Sequence, residues 1–201
     1  MFDFEPRLAK DDEDTKTPPK TPALDERLFK ARTVLIYGGI TQKLAETFSA
    51  RLLALAADSD EPITVYINSQ GGHVEAGDTI HDMIKFVKPV VRVVGTGWVA
   101  SAGALIYAAA KPENRYSLLN TRYMLHQPSG GAGGTASDIA IMAKEIVRMR
   151  LRLNEIFAEA TGQPLERIQR DTERDYWMSA QDAKDYGLVG KIISNATEIG
   201  S

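Results

Sequence analysis

Short apolar runs alternate with stretches of helical periodicity through the middle of the chain. Three runs are nearly continuous in apolar residues, as strands buried on both faces of a parallel sheet are: residues 33–38, 63–68 and 90–95. After each of the first two runs, apolar residues recur every three or four positions, which predicts amphipathic helices. Thr41 is placed to cap the first helix and Pro89 to end the second. Because parallel strands need helical crossovers, the alternation predicts an α/β fold with a largely parallel sheet.

The second half of the chain adds further helices and strands. Residues 101–110 are mostly small and apolar, which predicts a helix buried on all sides. Further strands are predicted at 115–119, 122–125 and 188–194. Ser179 and Asp182 have the spacing of a capping box at the start of a short helix.

One predicted helix is long for a small domain. From Ile139 to Ile156, apolar residues recur at intervals of three and four, and Gly162 is placed to end the helix. The pattern gives roughly 25 helical residues, about twice the usual length in globular proteins. A helix that projects from the domain and packs on a partner subunit would explain this length.

The first 25 residues have a different composition. They contain four prolines and the acidic run Asp11–Asp14, and they offer little apolar surface to offset the entropy of ordering. We expect residues 1–25 to form a flexible acidic tail and residues 26–201 to form a single domain. A segment that docks on a partner or gates access is the alternative interpretation of the tail.

Composition and charge exclude several classes of function. The net charge of −3, without a Lys/Arg-rich patch, does not fit a nucleic-acid-binding protein. The absence of cysteine excludes a thiolate zinc site, a disulfide framework and a cysteine nucleophile. The longest nearly apolar stretch, residues 99–110, is too short to span a bilayer, and the N-terminus lacks the apolar core of a signal peptide. We therefore expect a cytoplasmic protein that binds neither membrane nor nucleic acid.

Two features at strand ends are candidates for chemistry. Gly71 and Gly72 follow the second predicted strand, where backbone N–H groups can approach a ligand, although an ordinary strand-to-helix turn also uses glycines. Ser101 follows the third strand and begins the small-residue helix, where free N–H groups could hold an oxyanion. Val99 breaks the G-x-S-x-G pattern of α/β-hydrolases. Taken alone, Ser101 fits a packing residue better than a nucleophile.

The three histidines differ in their surroundings. His81 is predicted to lie on the exposed face of its helix, and His73 follows the glycine pair, where it could line a pocket. His126 ends a predicted strand beside a loop and could act as a base to a serine. Their spacing matches no metal-binding pattern. A triad acid is expected to be buried, and the candidates are Asp171 and Asp175. Asp175 has the more apolar neighbours, yet the residues alone do not choose between the two.

Several segments together resemble the proteolytic subunit family of caseinolytic (Clp) proteases. The resemblance covers about residues 28–195, and its segments stand in the family's order: YINSQGG, ASAGALI, MLHQPSGG, DIAIMAKEI and QRDTERDYWMSAQDAKDYGLV. The spacings from Ser101 to His126 and from His126 to Asp175 also agree with the family. The resemblance implies the Clp protease/crotonase-like superhelical βαβ fold with a long handle helix.

The resemblance also implies roles for individual residues. Ser101 falls on the nucleophile, His126 on the base and Asp175 on the acid of a Ser-His-Asp triad. Gly72 and Ala102 fall on the positions whose backbone N–H groups form the oxyanion hole. A separate position, Arg174, falls where the family uses an inter-subunit ion pair.

At the level of assembly, the resemblance implies a serine endopeptidase in homo-oligomeric rings. The rings have seven members and stack as a tetradecamer around a chamber, and an ATP-driven AAA+ unfoldase feeds unfolded polypeptides to the family's members. The family uses no cofactor and no metal. The long helix and the glycine-rich segment before it fall on the family's ring-to-ring handle.

The chain departs from the family pattern near the proposed site. Gln70 replaces a proline, His73 an apolar residue and Ala102 a methionine, while Trp98 and Val99 replace small polar residues. In the handle, Thr135 stands where the family often has glutamine. The tail, residues 1–25, does not resemble the family's N-terminal gating loops. These departures put the substrate pocket and the docking of an unfoldase in doubt.

Two other functions remain open on the sequence. The chain could be a catalytically weak or regulatory subunit of a mixed ring, although a scaffold has no need of a complete triad. It could also be an acyl-transfer or acyl-coenzyme-A enzyme of the wider superfamily, but those enzymes lack the serine–histidine pair.

Overall fold

A computed structural model describes residues 22–129 and 133–200 of the chain. The predicted tail therefore lies outside the described residues, except at its end, which is helical. Helix α1 (Pro22–Lys30) has proline in its first turn, where the missing N–H costs nothing. Asp25 in this helix pairs with Arg51 at 2.6 Å. The predicted boundary at residue 25 thus falls inside a helix.

The next elements alternate as the sequence predicts. Strand β1 (Thr33–Ile40) leads to α2 (Gln42–Asp58), β2 (Ile63–Gly72) to α3 (Val74–Phe86), and β3 (Val91–Ala100) to α4 (Ala102–Ala108). Thr41 caps α2 by accepting the N–H of Leu44. All seven residues of α4 are buried, which confirms the expectation for the small-residue helix.

The C-terminal part contains the remaining elements. They are β4 (Arg115–Leu118), β5 (Arg122–Leu125), α5 (Ala136–Thr161), α6 (Leu165–Asp171), β6 (Tyr176–Ser179), α7 (Ala180–Asp185) and β7 (Lys191–Ile193). The long helix is confirmed as α5, which ends at Gly162 in a left-handed conformation. The capping box of Ser179 and Asp182 is also confirmed. Helix α6 and strand β6 were not predicted from the sequence.

The sheet is mostly parallel and divides at β3. Strands β1, β2, β3, β4 and β7 are neighbours in that order, all in parallel pairs. The first half of β3 pairs with β4, whereas its last residues, Trp98 to Ala100, pair in parallel with β5. Strand β6 then adds to β5 in the antiparallel sense. The observed architecture is the α/β fold that the sequence predicts.

Helices cover one face of the sheet and form the main core. Apolar side chains of the helices, including Phe48 of α2, Ile80 of α3 and Leu105 of α4, pack there against alternate residues of the strands. A smaller cluster, built on Val94 and Tyr116, lies apart from the main core. The main core fixes the C-terminal end of β3, where Ser101 lies.

Candidate active site

Ser101 occupies a sharp turn between β3 and α4. Its φ of 54° and ψ of −122° lie in a region that a residue with a Cβ rarely adopts, at a cost of about 1–3 kcal/mol. Hydrogen bonds hold the turn: the N–H of Ser101 donates to the carbonyl of Met124, and its carbonyl accepts from Ala104 and Leu105. The sequence alone favoured packing for Ser101, whereas this strained turn sets it apart from the packing residues of α4.

The division of the sheet brings His126 and Asp175 to Ser101. Ala100 pairs with Met124 across β3 and β5, so the residues that follow these two strands emerge side by side. Leu125 pairs with Tyr176 across β5 and β6, which places the residue after β5 opposite the residue before β6. Residues that are far apart in sequence therefore meet at one edge of the sheet.

The three side chains form one hydrogen-bonded chain. The Nε2 atom of His126 lies 2.8 Å from Oγ of Ser101, and its Nδ1 atom lies 3.1 Å from Oδ1 of Asp175. A neutral imidazole that donates from Nδ1 to the carboxylate keeps a lone pair on Nε2 for the serine proton. The arrangement can therefore withdraw a proton from Ser101.

Of the two candidate acids, the more exposed one contacts the imidazole. Asp175 contacts His126 although its side chain is 61% exposed, so the expectation of a buried acid is wrong. Asp171 is the less exposed of the two, with 10% of its side chain accessible, and it pairs with Arg167 and Arg170. It also accepts a hydrogen bond from Tyr186, and burial together with this bond raises the pKa of that tyrosine. The carboxylate of Asp171 thus binds two arginines and a tyrosine, whereas the carboxylate of Asp175 binds the imidazole of His126.

The glycine pair lies directly against Ser101. A Cβ on Gly71, whose φ is +99°, would come within 2.6 Å of the Cβ of Ser101. A Cβ on Gly72, whose φ is +149°, would come within 2.4 Å of the carbonyl oxygen of Ile40. Only glycine fits either position without a shift of backbone. On the other side of Ser101, Ala102 is the first residue of α4, where the helix itself supplies no acceptor for the N–H.

A small apolar cavity adjoins the serine and the imidazole. It measures about 20 Å³ and is bordered by Val74, Leu105, Leu153, Phe157 and other residues. A second, open cleft of about 450 Å³ also borders His126, and Ile146, Arg174 and Asp175 are among its other lining residues. The imidazole of His126 thus borders both a small apolar cavity and an open cleft.

The departures from the family pattern have different surroundings. Trp98 stacks on Trp177 at 6.5 Å between ring centres, and Arg122 lies 4.4 Å above the Trp177 ring. Trp98 and the buried Val99 are absent from the lining of the apolar cavity. His73 lies half-exposed with Nε2 3.7 Å from the carboxylate of Glu75.

The prediction for His81 is wrong. Its side chain is buried, and its Nδ1 atom lies 3.0 Å from Oδ1 of the exposed Asp82. The buried positions of α3 form a wider stripe than the periodicity indicated, because α2 and α4 both pack against this helix. Within residues 22–129 and 133–200, no group of three or more His, Cys, Asp or Glu side chains is arranged to hold a metal ion.

Arg174 is exposed beside the open cleft. It forms no ion pair with any residue that the structure describes, so the predicted inter-subunit role stays a prediction. Among the described helices, none is long and apolar enough to cross a membrane.

Sequence reasoning missed several residues that support the site. Ser69 is fully buried, donates to the carbonyl of Gly38 and accepts the N–H of Gly71. Thr172 and Asn154 form a buried hydrogen bond behind the acid. A polar residue on the apolar side of a long helix is the only sequence signal that could have pointed to Asn154.

Comparisons with known proteins agree with this fold. The profile of the Clp protease family matches residues 20–196. The chain is 60% identical to the ATP-dependent Clp protease proteolytic subunit 3 of Rhizobium etli, over 94% of this chain and 97% of that protein. It is 57% identical to proteolytic subunit 2 of Pseudomonas aeruginosa, over 88% of each chain.

Solved structures give the same result. ClpP1 from Listeria monocytogenes superposes with a TM-score of 0.80 at 60% identity, covering 88% of this chain and 99% of that one. An Asn-to-Asp variant of that protein gives a TM-score of 0.82 at 62% identity, over 87% and 98%. The mostly parallel sheet and the long helix α5 thus have the fold of these two ClpP1 structures. The chain belongs to the Clp protease family.

Proposed function

We propose that this chain is a serine endopeptidase subunit of a ring-shaped, chambered protease that hydrolyses unfolded polypeptides. The observation that carries the proposal is the hydrogen-bonded chain from Ser101 through His126 to Asp175, at a serine held in a strained turn. The names of the relatives, which describe proteolytic subunits of an ATP-dependent protease, support the same function.

The contacts suit acyl transfer in two steps. Oγ of Ser101 attacks the peptide carbonyl as Nε2 of His126 takes its proton, and that proton then passes to the leaving amine. Water hydrolyses the acyl-serine by the same route, with His126 again acting as the base. Asp175 holds the imidazole in the tautomer that this route requires.

The negative charge that forms on the carbonyl oxygen needs donors. We propose that the backbone N–H groups of Gly72 and Ala102 supply them, because the glycine pair and the start of α4 flank Ser101. Removing one such donor typically costs on the order of 10²–10³ in rate. The strained turn at Ser101 is needed to present both the hydroxyl and the helix N-terminus to one carbonyl.

The apolar cavity sets a preference for the side chain before the scissile bond. Apart from Ser101 and His126, its walls are aliphatic and aromatic, and its volume is about 20 Å³. We expect modest selectivity for apolar residues there, since an extra methylene in an apolar pocket contributes about 1–3 kcal/mol.

We propose that the subunits form homo-oligomeric, stacked seven-membered rings, with an AAA+ unfoldase as partner. Helix α5 exposes apolar side chains that a neighbouring copy would cover, including Ile141 and Val147. Arg174, exposed beside the site, is proposed as a contact between copies. The cytoplasmic location stays a prediction.

Labelling with a fluorophosphonate probe tests the catalytic roles. Wild type should be labelled, and Ser101→Ala should abolish labelling while the assembly keeps its size. His126→Ala should also remove peptide hydrolysis. An assembled ring that is not labelled would favour the alternative of a regulatory subunit in a mixed ring.

The two aspartates offer a matched pair of variants. Asp175→Asn should lower kcat by up to about 10⁴-fold, because the amide supports the wrong imidazole tautomer. Asp171→Asn should lower the melting temperature and leave kcat near wild type, since Asp171 contacts Arg167 and Tyr186 instead of His126. The reverse result would exclude Asp175 as the acid.

A further inference from the structure

The acid of the site has few contacts of its own. Asp175 is largely exposed, and its one hydrogen bond to the described residues is the bond to His126. The short loop 172–175, between α6 and β6, must therefore hold the carboxylate in place. We propose that Arg150 and Asn154 of α5 are positioning residues that hold this loop, and through it both Asp175 and His126. The inference rests on the proposed function.

Asn154 and Arg150 contact two consecutive residues of the loop, Thr172 and Glu173. Thr172 is fully buried, and its hydroxyl is shared between the side-chain oxygen of Asn154, at 3.0 Å, and the carbonyl of Ile168, at 2.8 Å. The carboxylate of Glu173 pairs with Arg150 at 2.6 Å. Residues four apart lie on the same face of a helix, so one face of α5 makes both contacts.

The same two loop residues also hold the segment that carries the base. The carbonyl of Thr172 accepts the N–H of Gln127 at 2.7 Å, and the carbonyl of Glu173 accepts the Gln127 side-chain amide at 2.9 Å. Gln127 follows His126 directly in the chain. The acid and the base therefore share one support, and α5 anchors that support from behind.

The contact between Thr172 and Asn154 is buried. Asn154 is 2% exposed, so its amide has no water to replace Thr172. Because a buried polar group without a partner is costly, the side chains of Thr172 and Asn154 stay in contact. This contact fixes the position of the loop along α5. The exposed ion pair of Arg150 and Glu173 adds a second point of attachment, which resists rotation of the loop about the first.

A displaced loop should affect turnover more than substrate binding. Residues 173–175 of the loop border the open cleft, but no residue of the loop borders the apolar cavity that we assign to the substrate side chain. Misplacing a catalytic group by 1 Å can cost on the order of 100-fold in rate. We therefore expect loss of the anchors to lower kcat and to leave KM nearly unchanged.

Two arginines of α5 give a matched test. Arg150 pairs with Glu173 in the loop, whereas Arg152 pairs with Asp78 of α3, and both pairs measure 2.6 Å. Arg150→Gln should lower kcat several-fold without a change in KM, and Arg152→Gln should leave both at wild-type values. Arg150→Lys should restore most of the activity, because it keeps the charge opposite Glu173. Equal effects of Arg150→Gln and Arg152→Gln would overturn the inference.

The buried anchor is tested by variants of nearly equal size. Thr172→Val removes the hydroxyl and should lower kcat by ~10-fold or more at constant KM. Thr172→Ser keeps the hydroxyl and should stay near wild type. Thermal melting and sizing of the assembly show that each variant folds. A Thr172→Val protein with wild-type kcat would overturn the role of Asn154.

A measurement that needs no activity separates this inference from the proposed function. Hydrogen exchange of the loop and β6 should speed up in Arg150→Gln and Thr172→Val, and not in Arg152→Gln. If wild type proves inactive toward peptides, the proposed function fails, and exchange still tests the anchoring. Unchanged exchange in both anchor variants would refute the anchoring whether or not the enzyme is active.

Discussion

Replacing Gly71 with alanine would place a methyl group on the proposed nucleophile. The new Cβ would lie 2.6 Å from the Cβ of Ser101 and 3.0 Å from its Oγ. Carbon atoms in contact normally stand about 3.5–4.0 Å apart, so one of the two segments must move by about 1 Å. A shift of that size at a reacting atom costs on the order of 100-fold in rate, and we expect this loss in kcat/KM for Gly71→Ala.

The same variant has a cost that is unrelated to catalysis. At φ +99°, alanine is disfavoured by about 1–2 kcal/mol, which lowers the melting temperature by a few degrees in a chain of this size. Gly162→Ala is the matched control, because Gly162 has φ +71° at the end of α5 and a Cβ there would meet nothing within 4 Å. The control should lose stability and keep its activity.

Hydrolysis of a fluorogenic peptide and the rate of fluorophosphonate labelling measure the effect. Both should fall in Gly71→Ala and stay near wild type in Gly162→Ala, at equal assembly size. Labelling of Gly71→Ala at the wild-type rate would refute the argument that Gly71 fixes the position of Ser101.

Three further predictions concern stability and spectroscopy. Hydrogen bonds from Ser179 lower the pKa of Asp182, so this carboxylate stabilises the fold above the ordinary carboxyl pKa and ceases to do so as pH falls through the lowered value. Melting curves should show Asp182→Asn less stable than wild type at neutral pH, with the difference closing in acid; a constant difference would contradict this. Tyr186→Phe removes a hydrogen bond to Asp171, of a kind that contributes about 1.5–3 kcal/mol, and should lower the melting temperature without loss of peptidase activity. Trp177→Phe should change the near-ultraviolet circular dichroism strongly, because the chain's two tryptophans stack on each other; an unchanged spectrum would argue against the stack.

The elements that depend on local pattern were predictable. Strands β1, β2 and β3 follow from near-continuous apolar runs, and α5 follows from its apolar spacing and its terminal glycine. These signals are strong because burial on one face repeats with the period of the element. Strand β6 escaped prediction because it forms by pairing with β5, a strand far from it in sequence.

For the site, the residues alone predicted which kinds of side chain could act, but not which of them meet. The sequence supplied one serine at a strand end, one histidine at another and two aspartates, and the resemblance to the family ordered them. Burial, the property expected to mark the acid, would have selected Asp171, which is held by arginines and a tyrosine. His81 was misplaced for a related reason, since its burial depends on which helices pack beside α3.

The sequence by itself determined the α/β class, the long helix and the identity of the groups able to do chemistry. Hydrophobic periodicity and residue type are local properties, and each can be counted within a short window of the chain. Only the tertiary structure decided that β3 pairs with β5 at its end, and that β6 returns beside β5. Strand pairing depends on contacts between distant segments, and it is this pairing that places Ser101, His126 and Asp175 within hydrogen-bond distance and sets the loop of Asp175 on α5.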